Sequence, residues 1–138
     1  MVNIIDMRDM RYLNLFGRIT RVQTKYCFMY NNVVVFAVPR ALVSRALGKN
    51  AENLKRISDI IKKRVRVVAV PESIADAKSF IEAVVSPVTF KDLEIKDNEV
   101  ILTAGSQSKA ALIGRNKRRL LEMQEIVKGF FGKEFRIV

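Results

Sequence analysis

The sequence predicts an α+β fold made of two tandem copies of one αββααβ unit. Two observations lead to this prediction. Apolar and turn residues recur along the chain at an offset of 66 residues, and a repeat of that length indicates a supersecondary unit that occurs more than once. Within each copy, helical spacing of apolar residues gives way to short β-rich runs joined by turn residues, and then returns to helical spacing.

The repeat is clearest around two glycines. At an offset of 66, Leu47-Gly48-Lys49-Asn50 falls on Ile113-Gly114-Arg115-Asn116, and Val34-Val35-Phe36 falls on Val100-Ile101-Leu102. The ends of the two copies align once four extra residues around Gly129–Gly132 are allowed. We therefore predict one domain over residues 1–71 and a second over residues 72–138.

Each copy begins with a helix and a hairpin. The first helix has its apolar residues at helical spacing in both copies, and these are Tyr12, Leu15, Phe16 and Ile19, then Ile74, Ala77, Ile81 and Val84. Strands are predicted near 24–30 and 33–38, and Asn31-Asn32 tolerates the positive φ of a two-residue hairpin turn. Asp97-Asn98 takes this place in the second copy.

Each copy then continues with two helices separated by a glycine, followed by a closing strand. In the first copy these elements are predicted near 40–47, 52–62 and 64–70. In the second copy they are predicted near 106–112, 118–131 and 134–138. Ile57 and Met123 are predicted core residues on the longer helices, and Cys27 is predicted to be a buried thiol in a strand.

The charge of the chain indicates a polyanionic partner. It carries 25 Lys and Arg against 14 Asp and Glu, a net charge of +11, and such a field attracts nucleic acid or an anionic membrane surface. Residues 40–70 carry +7 and residues 104–138 carry +5, whereas residues 71–103 carry −4. The positive charge is therefore concentrated in the two helix–Gly–helix–strand halves, which favours nucleic acid.

Composition argues against catalysis. The chain has no histidine and one cysteine, which removes the commonest general base, the usual nucleophile pairs and a zinc cluster. No phosphate-loop or dinucleotide-binding motif is present. We expect no enzymatic activity, no metal and no cofactor. An apolar run of membrane-spanning length and a signal peptide are also absent, so we expect a cytoplasmic protein with no membrane partner.

The two glycine turns are the candidate binding sites. Gly48 and Gly114 each follow a helix end, where glycine is expected in the left-handed conformation of a helix C-cap. The next helix starts at once, so its unpaired N–H groups and positive dipole end are expected to face the turn. A phosphate approaching the glycine would meet these donors, together with a lysine or arginine at the loop tip.

A helix–Gly-x-x-Gly–helix between strands resembles the KH domain, whose loop clamps about four nucleotides of single-stranded backbone. The order αββααβ resembles the type II variant, which implies a three-stranded mixed sheet backed by helices. The tandem arrangement, with Ala46-Leu47-Gly48-Lys49-Asn50 and Ala111-Leu112-Ile113-Gly114-Arg115-Asn116, resembles the archaeal NusA-like transcription termination/antitermination factors. The family's second loop glycine is replaced here by Ala51 and Lys117.

This resemblance implies an RNA-binding regulator of transcription with single-stranded RNA as its partner. Contact with RNA polymerase does not follow from the sequence. The residues expected to bind RNA are the two loops and the basic residues that follow them, namely Gly48, Lys49, Asn50, Ala51, Lys55 and Arg56 in the first copy, and Gly114, Arg115, Asn116, Lys117, Arg118 and Arg119 in the second.

Two other functions remain open from the residues alone. A helix-turn-helix DNA-binding protein would also place a glycine turn between two helices on a basic chain, although the flanking strands argue against it. A structural module of a ribonucleoprotein would use the same basic faces to bind folded RNA by shape. The sequence does not separate this module from a binder of unpaired RNA.

Overall fold

The computed structural model describes residues 7–138, with side chains from residue 10 onward. The chain folds into two compact units, the first ending at Val70 and the second running over Pro71–Val138. The described residues form an α+β protein with six α-helices and two three-stranded mixed sheets. The predicted fold class and the order of elements in both copies are confirmed.

The first unit contains three helices and three strands. Its elements are α1 (Met7–Thr20), β1 (Tyr26–Tyr30), β2 (Val33–Val38), α2 (Val43–Leu47), α3 (Glu52–Ile61) and β3 (Arg64–Ala69). The sheet order is β1-β2-β3, with β1 antiparallel and β3 parallel to β2. Asn31 and Asn32 have φ of 52° and 62°, as a two-residue hairpin turn requires. Among residues 7–138, β3 pairs with β2 alone and so forms an edge of the sheet.

The core of the first unit lies between the sheet and its helices. The rings of Phe16 on α1 and Phe36 on β2 stack with centroids 4.3 Å apart. Ile57 on α3 is fully buried in the same cluster, and Cys27 is buried beside it. Both residues therefore belong to the core, as predicted. Burial of apolar side chains of this size fixes α3 on the sheet and so positions the loop that precedes it.

The second unit repeats this architecture. Its elements are α4 (Ala77–Val85), β4 (Asp92–Lys96), β5 (Glu99–Thr103), α5 (Ser106–Ile113), α6 (Arg118–Phe131) and β6 (Glu134–Ile137). The sheet order is β4-β5-β6, again with one antiparallel and one parallel pairing. A 3₁₀ turn over Ile74–Asp76 precedes α4, so the α-helix proper starts later than the apolar spacing predicts.

The helix that follows the glycine turn differs in length between the units. α6 has 14 residues and α3 has 10, a difference of about one helical turn. The extra turn carries Phe130 and Phe131, which pack on Phe80 of α4 with ring centroids 4.8 and 6.0 Å away. The four additional residues of the second copy therefore serve its own packing.

Among residues 7–138, no helix is long and apolar enough to cross a membrane. The described part of the chain also contains no cluster of three or more side chains suited to hold a metal ion.

Candidate nucleic-acid interface

The first candidate loop is a short corner between α2 and α3. α2 ends at Leu47, and Gly48 follows with φ 77° and ψ 174°. Lys49–Ala51 form a 3₁₀ turn in which Asn50 has φ 54° and ψ 34°, and Ala51 has φ 57° and ψ 30°. Two consecutive left-handed residues reverse the chain within one turn, so α3 begins at Glu52.

The second loop has the same backbone. Gly114 has φ 76° and ψ 170°, Asn116 has φ 57° and ψ 27°, and Lys117 has φ 60° and ψ 21°. Each angle lies within about 10° of its counterpart in the first loop. Two sequences that share only the glycine and the asparagine therefore form one and the same corner.

The predicted left-handed C-cap at the glycines is wrong. A ψ near 170° places Gly48 and Gly114 in an extended region at positive φ that is accessible almost only to glycine. A Cβ on Gly48 would lie 2.9 Å from Cγ of Asn53, and one on Gly114 would lie 3.1 Å from the backbone nitrogen of Arg119. The glycines are required because the next helix passes directly over them.

The expected row of unpaired helix amides is also wrong in part. The N–H of Ala51 donates to the carbonyl of Gly48 at 3.2 Å, and that of Lys117 donates to Gly114 at 3.1 Å. The amide of Glu52 donates to Lys49 in the same way. The 3₁₀ turn uses these donors internally, because a tight i to i+3 turn closes its own hydrogen bonds. A ligand at the corner would therefore meet the exposed side chains rather than a full set of helix amides.

The left-handed conformation falls on the position where the resembled family has its second glycine. Ala51 and Lys117 occupy it here, and side chains with a Cβ are strained there by about 1–2 kcal/mol. The preceding Asn50 and Asn116 adopt the same conformation at lower cost, since asparagine tolerates it best among residues with a side chain. The corner is held by its surroundings and not by the local preference of its fourth residue.

Most of the predicted site residues have exposed side chains, and one has a side chain that is hydrogen-bonded within its own unit. Most are exposed at or just after the corners, and these are Lys49, Asn50, Lys55 and Arg56 in the first unit and Arg115, Asn116, Lys117 and Arg118 in the second. Arg119 is half-buried, and its Nη1 donates to the carbonyl of Ala111 at 2.7 Å. Arg119 therefore joins α6 to the end of α5, which is a structural contact that the sequence did not indicate.

Asn53 performs the equivalent task in the first unit. It matches Arg119 at the offset of 66, and its Nδ2 donates to the carbonyl of Ala46 at 3.2 Å. Because the last carbonyls of a helix lack intrahelical partners, both side chains satisfy the end of the preceding helix. A donor side chain at matching positions of a repeat was the signal that could have identified this pair.

The first unit has a groove beside its loop. A cavity of about 370 Å³ lies between α3 and the beginning of the edge strand β3. Its walls carry three basic side chains, Lys55, Arg64 and Arg66, and one acidic side chain, Asp59. Val33, Leu54 and Val65 contribute apolar surface. The groove therefore combines an apolar floor with a basic rim along the helix that starts after Gly48.

The matching positions of the second unit have the opposite charge. Leu121 replaces Lys55, Glu134 replaces Arg64, and Glu99 replaces Val33. Glu125 corresponds to Asp59 and Arg136 to Arg66, so these positions of the second unit carry three acidic side chains and one basic side chain. Arg136 is paired with Glu99 at 3.1 Å, and Nε2 of Gln124 donates to the carbonyl of Phe135 at 3.2 Å. These contacts join α6 and β5 to the edge strand β6. The two units are therefore alike at the corner and unlike beside it.

At the corners, in contrast to the grooves, the second unit carries more basic residues than the first. The first corner has Lys49 at its tip and an acidic residue, Glu52, in the first turn of α3. The second corner has Arg115, Lys117 and Arg118 within four residues. The second corner is the more strongly basic, whereas the first has the more basic groove.

The chain is similar to known proteins in sequence and in fold. No model of a known protein family matches the chain. The chain is 23% identical to the probable transcription termination protein NusA of Methanococcus vannielii, over 97% of this chain and 79% of that protein. The crystal structure of APE1850 is 21% identical, with a TM-score of 0.67 over 97% of this chain and 99% of that one. The likeness to APE1850 extends to the fold, and the likeness to the methanococcal protein supports a relationship to NusA- and KH-like proteins.

Proposed function

We propose that the chain is a single-stranded RNA-binding protein and a NusA-like transcription termination/antitermination factor that acts by binding and not by catalysis. Its two units are proposed to be type II KH domains. The observation that carries this proposal is the exposed Gly-x-x-x corner that occurs twice with one backbone geometry and with basic side chains at both tips.

Three further observations support the proposal. Each unit has the three-stranded mixed sheet that resemblance to type II KH domains implies. The corner lies between helices that are backed by this sheet, where the family has its loop. The methanococcal relative is itself described as a probable transcription termination protein.

The corner offers a phosphate backbone two kinds of contact. Because Gly48 and Gly114 lack a side chain, the following helix can pack directly over the corner, and the residues at its tip stay exposed. Lys49 and Arg115 then supply a cation at the tip, and an exposed asparagine follows each of them as a hydrogen-bond donor. Contacts to the sugar-phosphate backbone of this kind position a strand without reading its sequence.

The groove of the first unit is proposed to receive the bases that follow. Unpaired bases can lie on apolar side chains such as Leu54 while their edges face polar groups. The basic rim formed by Lys55, Arg64 and Arg66 attracts the same strand. The second unit lacks this rim, and so we propose that it contributes its corner alone. The first unit is then the main determinant of base preference.

The test compares loop variants in RNA titrations. Lys49→Asp with Asn50→Asp places acids at the first corner, and Arg115→Asp with Asn116→Asp does so at the second. A hydrogen bond to a charged group contributes about 1.5–3 kcal/mol, so we expect each double variant to weaken binding of a labelled single-stranded RNA about 10- to 100-fold. Fluorescence anisotropy of the RNA measures this loss.

A matched control is available on the hairpin of the second unit. Lys96→Asp with Asn98→Asp makes the same change in residue types and in net charge at two exposed positions far along the chain from either corner. We expect it to retain nearly full affinity. Equal losses in all three variants would show that net charge alone governs binding, and unchanged binding in both corner variants would remove the corners from the mechanism.

The salt dependence and the competitor separate the remaining functions. Backbone recognition of single-stranded RNA predicts that log K falls with log[salt] by about 0.7 for each phosphate contacted. Each corner variant should make this slope shallower by about one contact. Duplex DNA that competes as well as unpaired RNA would instead favour the helix-turn-helix alternative, and folded RNA that competes best would favour the ribonucleoprotein module.

A further inference from the structure

The first unit has a second groove, on the side of α3 that faces α1. This α1–α3 groove is a cavity of about 620 Å³. Its lining is Arg11, Tyr12, Asn14, Leu15, Arg18, Ile60 and Ile61. None of these residues belongs to the RNA-binding corner or to the groove beside β3. The RNA-binding proposal therefore leaves it without a role.

The repeat identifies the equivalent place in the second unit. At the offset of 66, Ile60 and Ile61 correspond to Ile126 and Val127. The first helices align with one residue less, since the buried Phe16 and Thr20 then fall on the buried Ile81 and Val85. In this alignment Leu15 corresponds to Phe80.

In the second unit this place is filled by aromatic side chains. Phe130 and Phe131, on the extra turn of α6, pack on Phe80 at 4.8 and 6.0 Å. Ile126, one turn earlier on α6, is 4% exposed. In the first unit α3 ends at Ile61 and has no such turn, and Ile60 is 56% exposed. An isoleucine that its own repeat buries is thus left open to solvent beside Leu15 and Tyr12.

The rim of the α1–α3 groove is basic, whereas the matching positions of the second unit are not. Arg11 and Arg18 are seven residues apart, which places them on the same face of α1 two turns apart. Their counterparts in the second unit are Asp76 and Ala83. Among the residues that the structure describes, no acidic side chain lines the groove. The open apolar surface and the two arginines therefore occur together in one copy and are both missing from the other.

We propose that the α1–α3 groove docks an acidic protein segment that inserts an aromatic side chain between Leu15 and Ile60, with Arg11 and Arg18 pairing with carboxylates of the segment. The second unit supplies the aromatic group from its own chain, and the first receives it from a partner. The second unit favours a protein segment over RNA as the occupant, because phenylalanine side chains fill the equivalent place there.

The probe is an acetylated, amidated peptide with a Phe-Phe pair flanked on each side by three glutamates. Two control peptides carry Ala-Ala in place of Phe-Phe, or lysines in place of glutamates. Each is titrated into the full isotope-labelled chain and followed by amide and methyl chemical shifts. We expect saturable shifts at Leu15, Ile60 and Ile61 with the first peptide, and at least about tenfold weaker binding of either control peptide.

A matched pair of variants tests the site on the protein side. Ile60 and Leu121 are both 56% exposed, so replacing either with serine removes a similar apolar surface. We expect Ile60→Ser to weaken the peptide about tenfold and Leu121→Ser to leave it unchanged. Arg18→Glu should weaken it as well, and it changes an exposed side chain, so it reports even if Ile60→Ser is poorly folded.

RNA titrations of the same variants keep this proposal distinct from the RNA-binding one. We expect Ile60→Ser to retain full RNA affinity and the peptide not to compete with RNA. The docking proposal is overturned if the Phe-Phe and Ala-Ala peptides bind alike, if the shifts map outside the groove, or if RNA and not the peptide perturbs Leu15 and Ile60. Loss of RNA binding in the corner variants alone would bear on the other proposal only.

Discussion

Exchanging glycine and alanine at the two ends of the first corner should change stability in opposite directions. Gly48 has φ 77° and ψ 174°, a region in which any other residue is strained by about 1–3 kcal/mol. A Cβ there would also meet the side-chain amide of Asn53 at 2.9 Å. Displacing that amide breaks its hydrogen bond to Ala46, at a cost of about 1 kcal/mol. Alanine also restricts the unfolded chain, which offsets about 0.4–1 kcal/mol. We therefore expect Gly48→Ala to lower the free energy of unfolding by about 1–3.5 kcal/mol.

Ala51→Gly should have the opposite effect. Ala51 has φ 57° and ψ 30°, the left-handed conformation that strains a residue with a Cβ by about 1–2 kcal/mol. Glycine removes this strain but adds freedom to the unfolded chain, at a cost of about 0.4–1 kcal/mol. The net gain in the free energy of unfolding is expected to be about 0.5–1 kcal/mol.

The three tyrosines provide an assay that is confined to the first unit. Tyr12, Tyr26 and Tyr30 all lie there, and the chain has no tryptophan. Tyrosine fluorescence in urea therefore follows unfolding of the first unit, whereas far-ultraviolet circular dichroism follows both. A change of 1 kcal/mol moves the urea midpoint of a small domain by about 0.3–1 M, so both variants fall within the range of the measurement.

Gly132→Ala is the control for strain without a clash. Gly132 has φ 67° and ψ 26°, and a Cβ there would meet nothing within 4 Å. After the smaller freedom of the unfolded chain is subtracted, it should cost about 0.5–1 kcal/mol in the second unit, followed by circular dichroism. The reasoning fails if Gly48→Ala is no more destabilising than this control, or if Ala51→Gly destabilises the first unit.

Two further predictions follow from contacts elsewhere in the units. Replacing Leu121 with Lys and Glu134 with Arg gives the second unit the basic side chains of the first groove, and this variant should raise RNA affinity several-fold in anisotropy titrations. The control Glu94→Arg with Ile95→Lys adds the same charge on the hairpin and should raise RNA affinity less. Equal gains in the two variants would mean that only net charge matters. Thr20 is buried, and its Oγ1 donates to the carbonyl of Phe16 at 2.7 Å and accepts from the amide of Val22 at 3.0 Å. Thr20→Val should therefore destabilise the first unit by about 1–3 kcal/mol in tyrosine-monitored urea unfolding, and a variant as stable as the original chain would contradict this.

Much of the fold could be predicted because the same sequence pattern occurs twice in the chain. Apolar spacing alone leaves short runs ambiguous between helix and strand, but the same pattern at an offset of 66 makes each copy a check on the other. Asn31-Asn32 and the glycines mark turns whose chemistry is local. The prediction placed α3 and α6 to within a residue or two for this reason. It started the first helix of the second unit too early, because a 3₁₀ turn over Ile74–Asp76 satisfies the same apolar spacing.

The conformation of the corners could not be predicted from their residues. Glycine after a helix most often takes the left-handed conformation, whereas here the left-handed residues are the third and fourth of the corner. Alanine and lysine disfavour that conformation, so no local preference at Ala51 or Lys117 points to it. It is imposed by the packing of α3 and α6, which is a tertiary effect.

The two grooves could not be predicted from the sequence either, although the residues that line them can be read from it. Lys55 and Leu121 occupy matching positions, but the consequence of this difference depends on which residues of the edge strand face the helix. That relation is set by the parallel register of β3 on β2, in which Arg64 lies beside Val33. Summed charges placed a positive surplus in both copies and could not show that basic side chains line a groove beside β3 in the first, whereas acidic residues occupy the matching positions of the second.

The two copies have diverged beside a corner that they share. The second copy covers one flank of its long helix with Phe130 and Phe131, and Gln124 joins the other flank to the edge strand. The first leaves both flanks open, and each open flank carries basic side chains. Apolar surface left uncovered forgoes about 25 cal/mol for each Å² that the second copy buries. A unit that leaves apolar surface uncovered in its α1–α3 groove, and places arginines in the grooves on both sides of α3, has the properties expected of a unit with two binding surfaces.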